Sequence, residues 1–303
     1  MGSRVDRRMT DEAAFGRPED VAAAFEGREY VADRAVAMAV YLSLKLGKPL
    51  LVEGEPGCGK TDIARALSEA LDTDLIRLQC YEGLDAEATL YEWNYPKQLL
   101  AIRLQEKEKS PADLEAEIFS EKFLLRRPLL QALNHDGPRP PTLLIDEIDR
   151  ADEEFEGLLL EFLSEFQVTI PEIGTYRADR IPFVVITSNR TRELSDALKR
   201  RCLYLYIDYP SLEKERAILR RRVPELGESL AEQVLTFVQR VRTEEEILKK
   251  PGISETLDWV AALLALDVEH VDGDTMRETL GFIAKEVEDL RYLEGRIDVL
   301  LEP

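Results

Sequence analysis

Five short apolar runs, several followed by a helix-patterned stretch, constrain this chain more than any other feature. They are "PLLVEG" (49–54), "DLIRLQC" (74–80), "PTLLIDEID" (141–149), "IPFVVITSN" (181–189) and "CLYLYIDYP" (202–210). Between them lie "TDIARALSEAL" (61–71), "DEEFEGLLLEFLSEF" (152–166) and "RELSDALKR" (192–200), all patterned as helices. Runs that stay apolar almost without a break belong to strands buried on both faces. Strand, helix, strand repetition then predicts an α/β fold, a parallel five-stranded sheet covered by helices on each side.

Upstream, residues 19–46 read as helix, with Val21, Ala24, Phe25, Val31, Ala35, Met38 and Leu42 as its apolar positions. Gly47 and Pro49 end it. After Pro210 the strand signal stops. "SLEKERAILRRR", "SLAEQVLTFVQRVR", "SETLDWVAALLAL" and "MRETLGFIAKEVEDL" carry helical periodicity, punctuated by Pro224, Gly227, Pro251, Gly252 and Gly273. The expected organisation is a tail over 1–18, an αβα core over 19–209 and an all-helical domain over 210–303. Two segments interrupt the core. Residues 83–135 are long for one crossover, and "VTIPEIGTYRADR" (168–180) reads as a hairpin with Gly174 near its turn.

Composition narrows the function classes. Sixty acids against forty bases give a net charge of −20 over 303 residues. Such a surface repels phosphate backbones, and the basic runs at 124–128, 198–202 and 219–223 are short. Nucleic acid is therefore not an expected partner. Three widely spaced cysteines, Cys58, Cys80 and Cys202, form no CxxC pair and fit a reduced, cytoplasmic setting, with Cys80 and Cys202 as buried thiols. The charged start lacks the apolar core of a signal peptide, and the longest apolar helical run (35–47) is too short to span a bilayer.

Four places carry chemistry. "GEPGCGKT" (54–61) fits G-x-x-x-x-G-K-[ST], after a strand and before a helix. Its glycines let backbone N–H groups turn toward anionic oxygens, and the helix adds its positive end. Lys60 can neutralise β and γ charges, and Thr61 offers a hydroxyl to Mg²⁺. The whole stretch Gly54, Glu55, Pro56, Gly57, Cys58, Gly59, Lys60, Thr61 and Asp62 is the expected phosphate cradle. Second, "LLIDEID" (143–149) puts acids at the end of a buried strand, costly unless a cation or water meets them. Asp146 is the expected Mg²⁺ residue and Glu147 the activator of an attacking water; the bland alternative is an acidic helix start. Third, Asn189 ends the fourth run and can hold that water or a γ-phosphate, or merely cap a turn. Fourth, Arg200 and Arg201 precede the fifth strand, where a guanidinium can reach a neighbouring subunit's γ-phosphate or simply sit at a helix end.

Together these residues resemble the AAA+ ATPases, and within them the MoxR family, from about residue 20 to the end. "GEPGCGKT" resembles Walker A, "LLIDEID" Walker B, Asn189 sensor 1 and "ALKRRC" the arginine-finger segment, with Arg201 the better-aligned arginine. The resemblance implies sheet order 5-1-4-3-2, a C-terminal helical lid, ATP and Mg²⁺ as cofactors, and a homo-oligomer, normally a hexameric ring. It implies adenine contacts at Tyr30 and Val31, and client-contacting insertions at about 83–135 and 168–180. "LIRLQCYEGLD", "LYEWNYPKQLLAIR", "SNRTRELSDALKRRCLYLYIDYP" and "SETLDW" look like the subgroup containing the ATPase that helps mature the copper–molybdenum centre of CO dehydrogenase. That subgroup implies a protein client and a partner with a von Willebrand factor A domain. One position departs: Thr256 of "SETL" (254–257) stands where many relatives carry the sensor 2 arginine. A nucleotide-gated scaffold with little turnover and a nucleic-acid-associated NTPase remain alternatives. The loop alone does not separate ATP from GTP, because a phosphate cradle does not read the base.

Overall fold

The structure, a computed structural model, describes residues 15–85, 87–105 and 110–301. Most of the expected N-terminal tail, residues 1–14, lies outside the described residues. Five parallel strands form the central sheet: β1 (Leu50–Gly54), β2 (Leu75–Gln79), β3 (Thr142–Asp146), β4 (Phe183–Ser188) and β5 (Leu203–Ile207). Their spatial order is β2-β3-β4-β1-β5. The α/β fold and the 5-1-4-3-2 order both hold.

In the three central strands, β1, β3 and β4, alternate residues enter opposite apolar layers; the edge strands depart from the expectation, since Tyr204 and Tyr206 of β5 and Leu75 and Arg77 of β2 stay exposed where no further strand or helix covers them. Leu50, Val52, Leu144 and Val185 pack with α1 (Pro18–Glu26), α2 (Arg34–Leu46) and α3 (Lys60–Leu71) on one side. Leu51, Leu143, Ile145, Val184 and Ile186 pack with Phe155, Leu159 and Phe162 of α4 (Glu153–Glu165) on the other. Burial on both faces is why β1, β3 and β4 read as unbroken apolar runs. Each large side chain fully withdrawn from water contributes about 1.5–3 kcal/mol.

The single helix expected over 19–46 is two. α1 ends at Gly27, and Glu29 takes a left-handed φ of 59°. Asp33 then caps α2, its carboxylate accepting from the Val36 N–H at 2.9 Å. The restart changes the phase of the buried stripe. Val36, Ala37 and Val40 face the core, whereas Met38 is 36% exposed. The two interruptions are built as folded units. Within 83–135, Tyr91–Trp93 pairs antiparallel with Leu124–Arg126, and the helices Tyr95–Gln105 and Pro111–Ile118 lie between them. Gln167–Ile170 pairs with Gly174–Arg177 as a hairpin beside α4.

A short helix, α5 (Asp196–Arg201), precedes β5. Three further helices, α6 (Leu212–Arg222), α7 (Glu228–Thr243) and α8 (Ile253–Ala265), open the C-terminal helical region. Its own apolar cluster centres on Trp259, Phe237, Val234 and Leu263. The helical stretch read over 276–290 is broken: Gly273–Thr279 gives way to a 3₁₀ turn, and Val287–Glu294 starts afresh. No helix among the described residues is long and apolar enough to cross a membrane.

Candidate functional site

Parallel strands bring all five carboxyl ends to one edge, and the expected chemistry collects there. Register places Gln79 beside Asp146, and Glu53 beside Ser188. β1 runs into the glycine loop at Gly54. A Cβ at Gly54 would fall 2.0 Å from the Ile207 carbonyl oxygen, so only glycine lets β1 and β5 approach here. Gly57 (φ 73°) and Gly59 (φ 80°) turn the loop, and Gly59 is the N-cap of α3. The loop therefore wraps the positive end of a twelve-residue helix.

Lys60, the first residue of α3, is 6% exposed. Its ammonium donates to the Gly54 carbonyl at 2.9 Å and the Glu55 carbonyl at 2.6 Å, so it spans the loop's mouth. Burial lowers its pKa; the charges of Cys58, Asp149, Glu55 and Asp146 oppose that. Thr61 Oγ1 donates to Asp146 Oδ1 at 3.0 Å, and Thr187 Oγ1 donates to the same oxygen at 2.6 Å. Asp146 is 2% exposed, and its other oxygen meets Arg77 Nη2 at 2.6 Å.

Glu147 holds a left-handed backbone (φ 55°), and its N–H donates to Thr187 Oγ1 at 2.9 Å. That turn lifts its carboxylate off the strand. Gln79 Nε2 donates to it at 3.1 Å, Arg150 Nη1 at 3.2 Å and Asn189 Nδ2 at 3.5 Å. Asn189 is fixed from below by Asp149. That carboxylate, 3% exposed, accepts from the Asn189 N–H at 3.1 Å, and from Thr191 through its N–H at 2.9 Å and its hydroxyl at 2.7 Å.

Lys60, Thr61, Asp146, Glu147 and Asn189 thus meet in one place. Arg200 and Arg201, in the last turn of α5, bond to none of these residues in their own chain. Arg201 is engaged by Ser164 Oγ (3.1 Å) and the Ala197 carbonyl (3.0 Å). Five contributors escaped sequence reasoning: Arg77, Gln79, Thr187, Asp149 and Arg150. A basic residue inside the second apolar run, Arg77 in "DLIRLQC", was the one visible signal.

Tyr30 and Val31 stand beside the loop, with Tyr30 packed edge-on to Phe25 and 3.9 Å from where a Gly59 Cβ would sit. Burial pushes the Tyr30 phenol above its ordinary range, and Asp33, Asp62 and Cys58 add to the effect. Two adjoining cavities of about 480 and 50 Å³ open here and share Val31, Ile207, Asp208, Pro210 and Lys214. Tyr30, Gly59, Asp62, Arg222 and Ile253 border the smaller one. Core and helical region are bridged across this gap by Lys214–Asp33 at 2.7 Å and more loosely by Arg222, 3.8 Å from Glu29 and 3.7 Å from Asp62.

Cys58 lies in the loop as a free thiol. Burial pushes its pKa up to about 11, against the pull of Lys60 and Arg242. Iodoacetamide at pH 8 is therefore expected to alkylate Cys58 on the order of 100-fold more slowly than a thiol of ordinary pKa. Peptide mass spectrometry over a time course checks this, and a rate within threefold of free cysteine would contradict it.

Residues 49–202 match the family model described as AAA domain (dynein-related subfamily), a span of just over half the chain. The chain belongs to this family. Two uncharacterised proteins of Staphylococcus aureus, from strains USA300 and bovine RF122 / ET3-1, are each 28% identical over 227 residues, covering 73% of this chain and 77% of theirs. Among solved structures, the Thermotoga maritima RuvB Holliday junction branch migration motor is 17% identical over 87% of this AAA chain and 74% of its own, with a TM-score of 0.46. A mutant of the same motor scores 0.48 over 94% of this chain and 78% of its own, at 17% identity. Likeness at that level transfers no activity to this AAA chain.

Proposed function

We propose that this AAA chain hydrolyses ATP and uses the cycle to remodel a protein client, as MoxR-type proteins do. One convergence carries the reading. A lysine-bearing anion loop, the Thr61–Asp146 hydrogen bond and the Glu147–Asn189 pair share the carboxyl edge of the sheet. In this assignment the N–H groups of Gly57 to Thr61 hold phosphate oxygens, and Lys60 turns from its two carbonyls to the β and γ charges. Asp146 and the Thr61 hydroxyl suit a hard cation, because both are oxygen donors already in contact. Mg²⁺, when bound there, supplies compensation for charge at the β and γ oxygens. Glu147 accepts the proton of an attacking water, and the Asn189 amide steadies that water. Tyr30 and Val31 flank the base at the smaller cavity.

Lys60→Ala is expected to weaken ADP binding about 10- to 100-fold, the worth of about 1.5–3 kcal/mol for hydrogen bonds to a charged group. Calorimetric titration checks it, and affinity within threefold of the parent would remove Lys60 from the site.

The shared-site part of the proposal concerns Arg200 and Arg201. Both are exposed and cannot serve their own chain's loop through any bond described above. The Arg200 side chain makes no hydrogen bond or ion pair with a described residue, which makes it the freer fork, whereas the family resemblance favours Arg201, whose guanidinium is engaged by Ser164 and Ala197. Specific activity should rise with protein concentration, in step with particle mass measured with and without ATP. Mixing Glu147→Gln with an Arg200→Ala/Arg201→Ala double variant, each inactive alone, should restore part of the turnover. Concentration-independent turnover from a monomer would refute the ring. The client, a complex needing a metal cofactor, and a von Willebrand factor A domain partner rest on the MoxR-like stretches alone.

A nucleotide-gated scaffold is favoured by one observation. Gln79, Arg150 and Asn189 already occupy the Glu147 carboxylate. Steady-state turnover of the assembled protein separates the two readings. The net charge of −20 weighs against a nucleic-acid motor.

A further inference from the structure

Thr256, at the position where the family resemblance implies a sensor 2 arginine, is completely buried. Its hydroxyl donates to Glu215 Oε1 at 2.8 Å. Glu215, from α6, is itself fully buried and also accepts from Gln239 Nε2 at 2.9 Å. Arg242 of α7 grips it with both terminal nitrogens, at 2.7 and 2.8 Å. The third donor of Arg242, Nε, reaches the Pro251 carbonyl at 2.7 Å, and the guanidinium lies 5.2 Å over the Tyr209 ring. Three helices of the lid are thus tied to the residue that precedes Gly252 and α8.

What this network holds in place is the start of α8 against the phosphate loop. The N–H groups of Ile253 and Ser254 donate to the Gly57 carbonyl at 3.0 and 3.3 Å. There is no slack in the contact. A Cβ on Gly57 would stand 2.5 Å from Ser254 Oγ, and one on Gly252 would stand 2.8 Å from the Pro56 oxygen. A trans peptide is planar, with its C=O and the following N–H pointing in opposite directions. Fixing the Gly57 carbonyl toward the lid therefore aims the Cys58 N–H away from the lid. Gly57, at φ 73°, is the residue freest to rotate this peptide if the lid lets go.

We infer that the lid reports on the phosphate chain through the Gly57–Cys58 peptide, and that Arg242, Glu215 and Thr256 are positioning residues for that contact. Lid docking presents the Cys58 N–H as a phosphate donor; lid opening frees the peptide and removes it. Backbone amides thus take up the lid-to-nucleotide coupling that a lid arginine would otherwise supply with its charge. The inference rests on the ATPase reading above.

The test compares ADP with AMP on the full chain, because only ADP carries the second phosphate that the loop amides hold. In ¹⁵N-cysteine-labelled protein three amide signals are expected, one per cysteine. The Cys58 signal should move downfield with ADP and not with AMP. In Arg242→Met that displacement should vanish and ADP affinity should fall about tenfold, while AMP affinity stays within twofold. Thr256→Val, a near-isosteric change that decides the matter if Arg242→Met does not fold, should lose about three- to fivefold for ADP alone. Equal losses for both nucleotides, parental ADP affinity in both variants, or an unmoved Cys58 signal in the parent protein would overturn the inference and leave the ATPase reading standing. A parent protein that binds neither nucleotide would overturn both.

Discussion

Glu147→Gln should cut ATP turnover by about 10²- to 10⁴-fold, the usual worth of a positioned general base, while ATP affinity stays within about threefold. The change is nearly isosteric. The left-handed backbone of Glu147 and its N–H bond to Thr187 do not depend on the side chain's charge, so the loop keeps its course. A carboxamide oxygen can still accept from Gln79 and Arg150, now at 3.1 and 3.2 Å from the carboxylate. What is lost is the capacity to take a proton. None of the binding groups changes: Lys60, the loop amides, and Asp146 with Thr61 keep their contacts. Single-turnover phosphate release and equilibrium titration measured on one preparation separate the two effects. Turnover within tenfold of the parent would take Glu147 out of the role of base and shift weight to the scaffold reading.

The parts of the site that the sequence exposed are those whose geometry is local. Gly54, Lys60 and Thr61 lie on one strand–loop–helix unit, so their convergence follows from a few consecutive residues. Asp146, Glu147 and Asn189 were legible because parallel strands align their carboxyl ends. Arg77 and Gln79 were not, since their roles need the register that sets Gln79 beside Asp146 across β2 and β3. Asp149 reads as one more acid in "DEID", and only the fold shows it holding the Asn189 backbone. The single-helix expectation over 19–46 fails near Gly27 for a local reason of another kind. The Asp33 cap was masked by an apolar spacing that continued across it with the wrong phase. In the C-terminal helical region, the sequence shows only that Thr256 is not arginine. Its partner Glu215 lies 41 residues earlier, and no periodicity announces the pair.

That pairing supports the largest expected stability effect. Glu215→Ala should destabilise the C-terminal helical region by about 3–5 kcal/mol, because removing one partner of a buried ion pair strands the other. Arg242 is 7% exposed, and without Glu215 it keeps only the Pro251 carbonyl and the Tyr209 ring. Gln239 and Thr256 lose an acceptor in the same step, although Thr256 retains the Gly252 carbonyl at 3.1 Å. The effect should be regional: α6, α7 and α8 share the apolar cluster around Trp259, which is separate from both layers of the sheet. Hydrogen exchange should therefore speed up in these helices while β1, β3 and β4 stay protected, and Trp259 fluorescence should change at lower urea than the sheet's unfolding. The double variant Glu215→Leu/Arg242→Met should recover most of the loss, since a well-packed apolar pair can replace a buried ion pair at little cost. Recovery of stability without recovery of phosphate-selective binding would separate what this network does for the fold from what it does for the nucleotide loop. A Glu215→Ala protein whose C-terminal helices exchange and unfold like the parent's would show that the pair bears no stability at all.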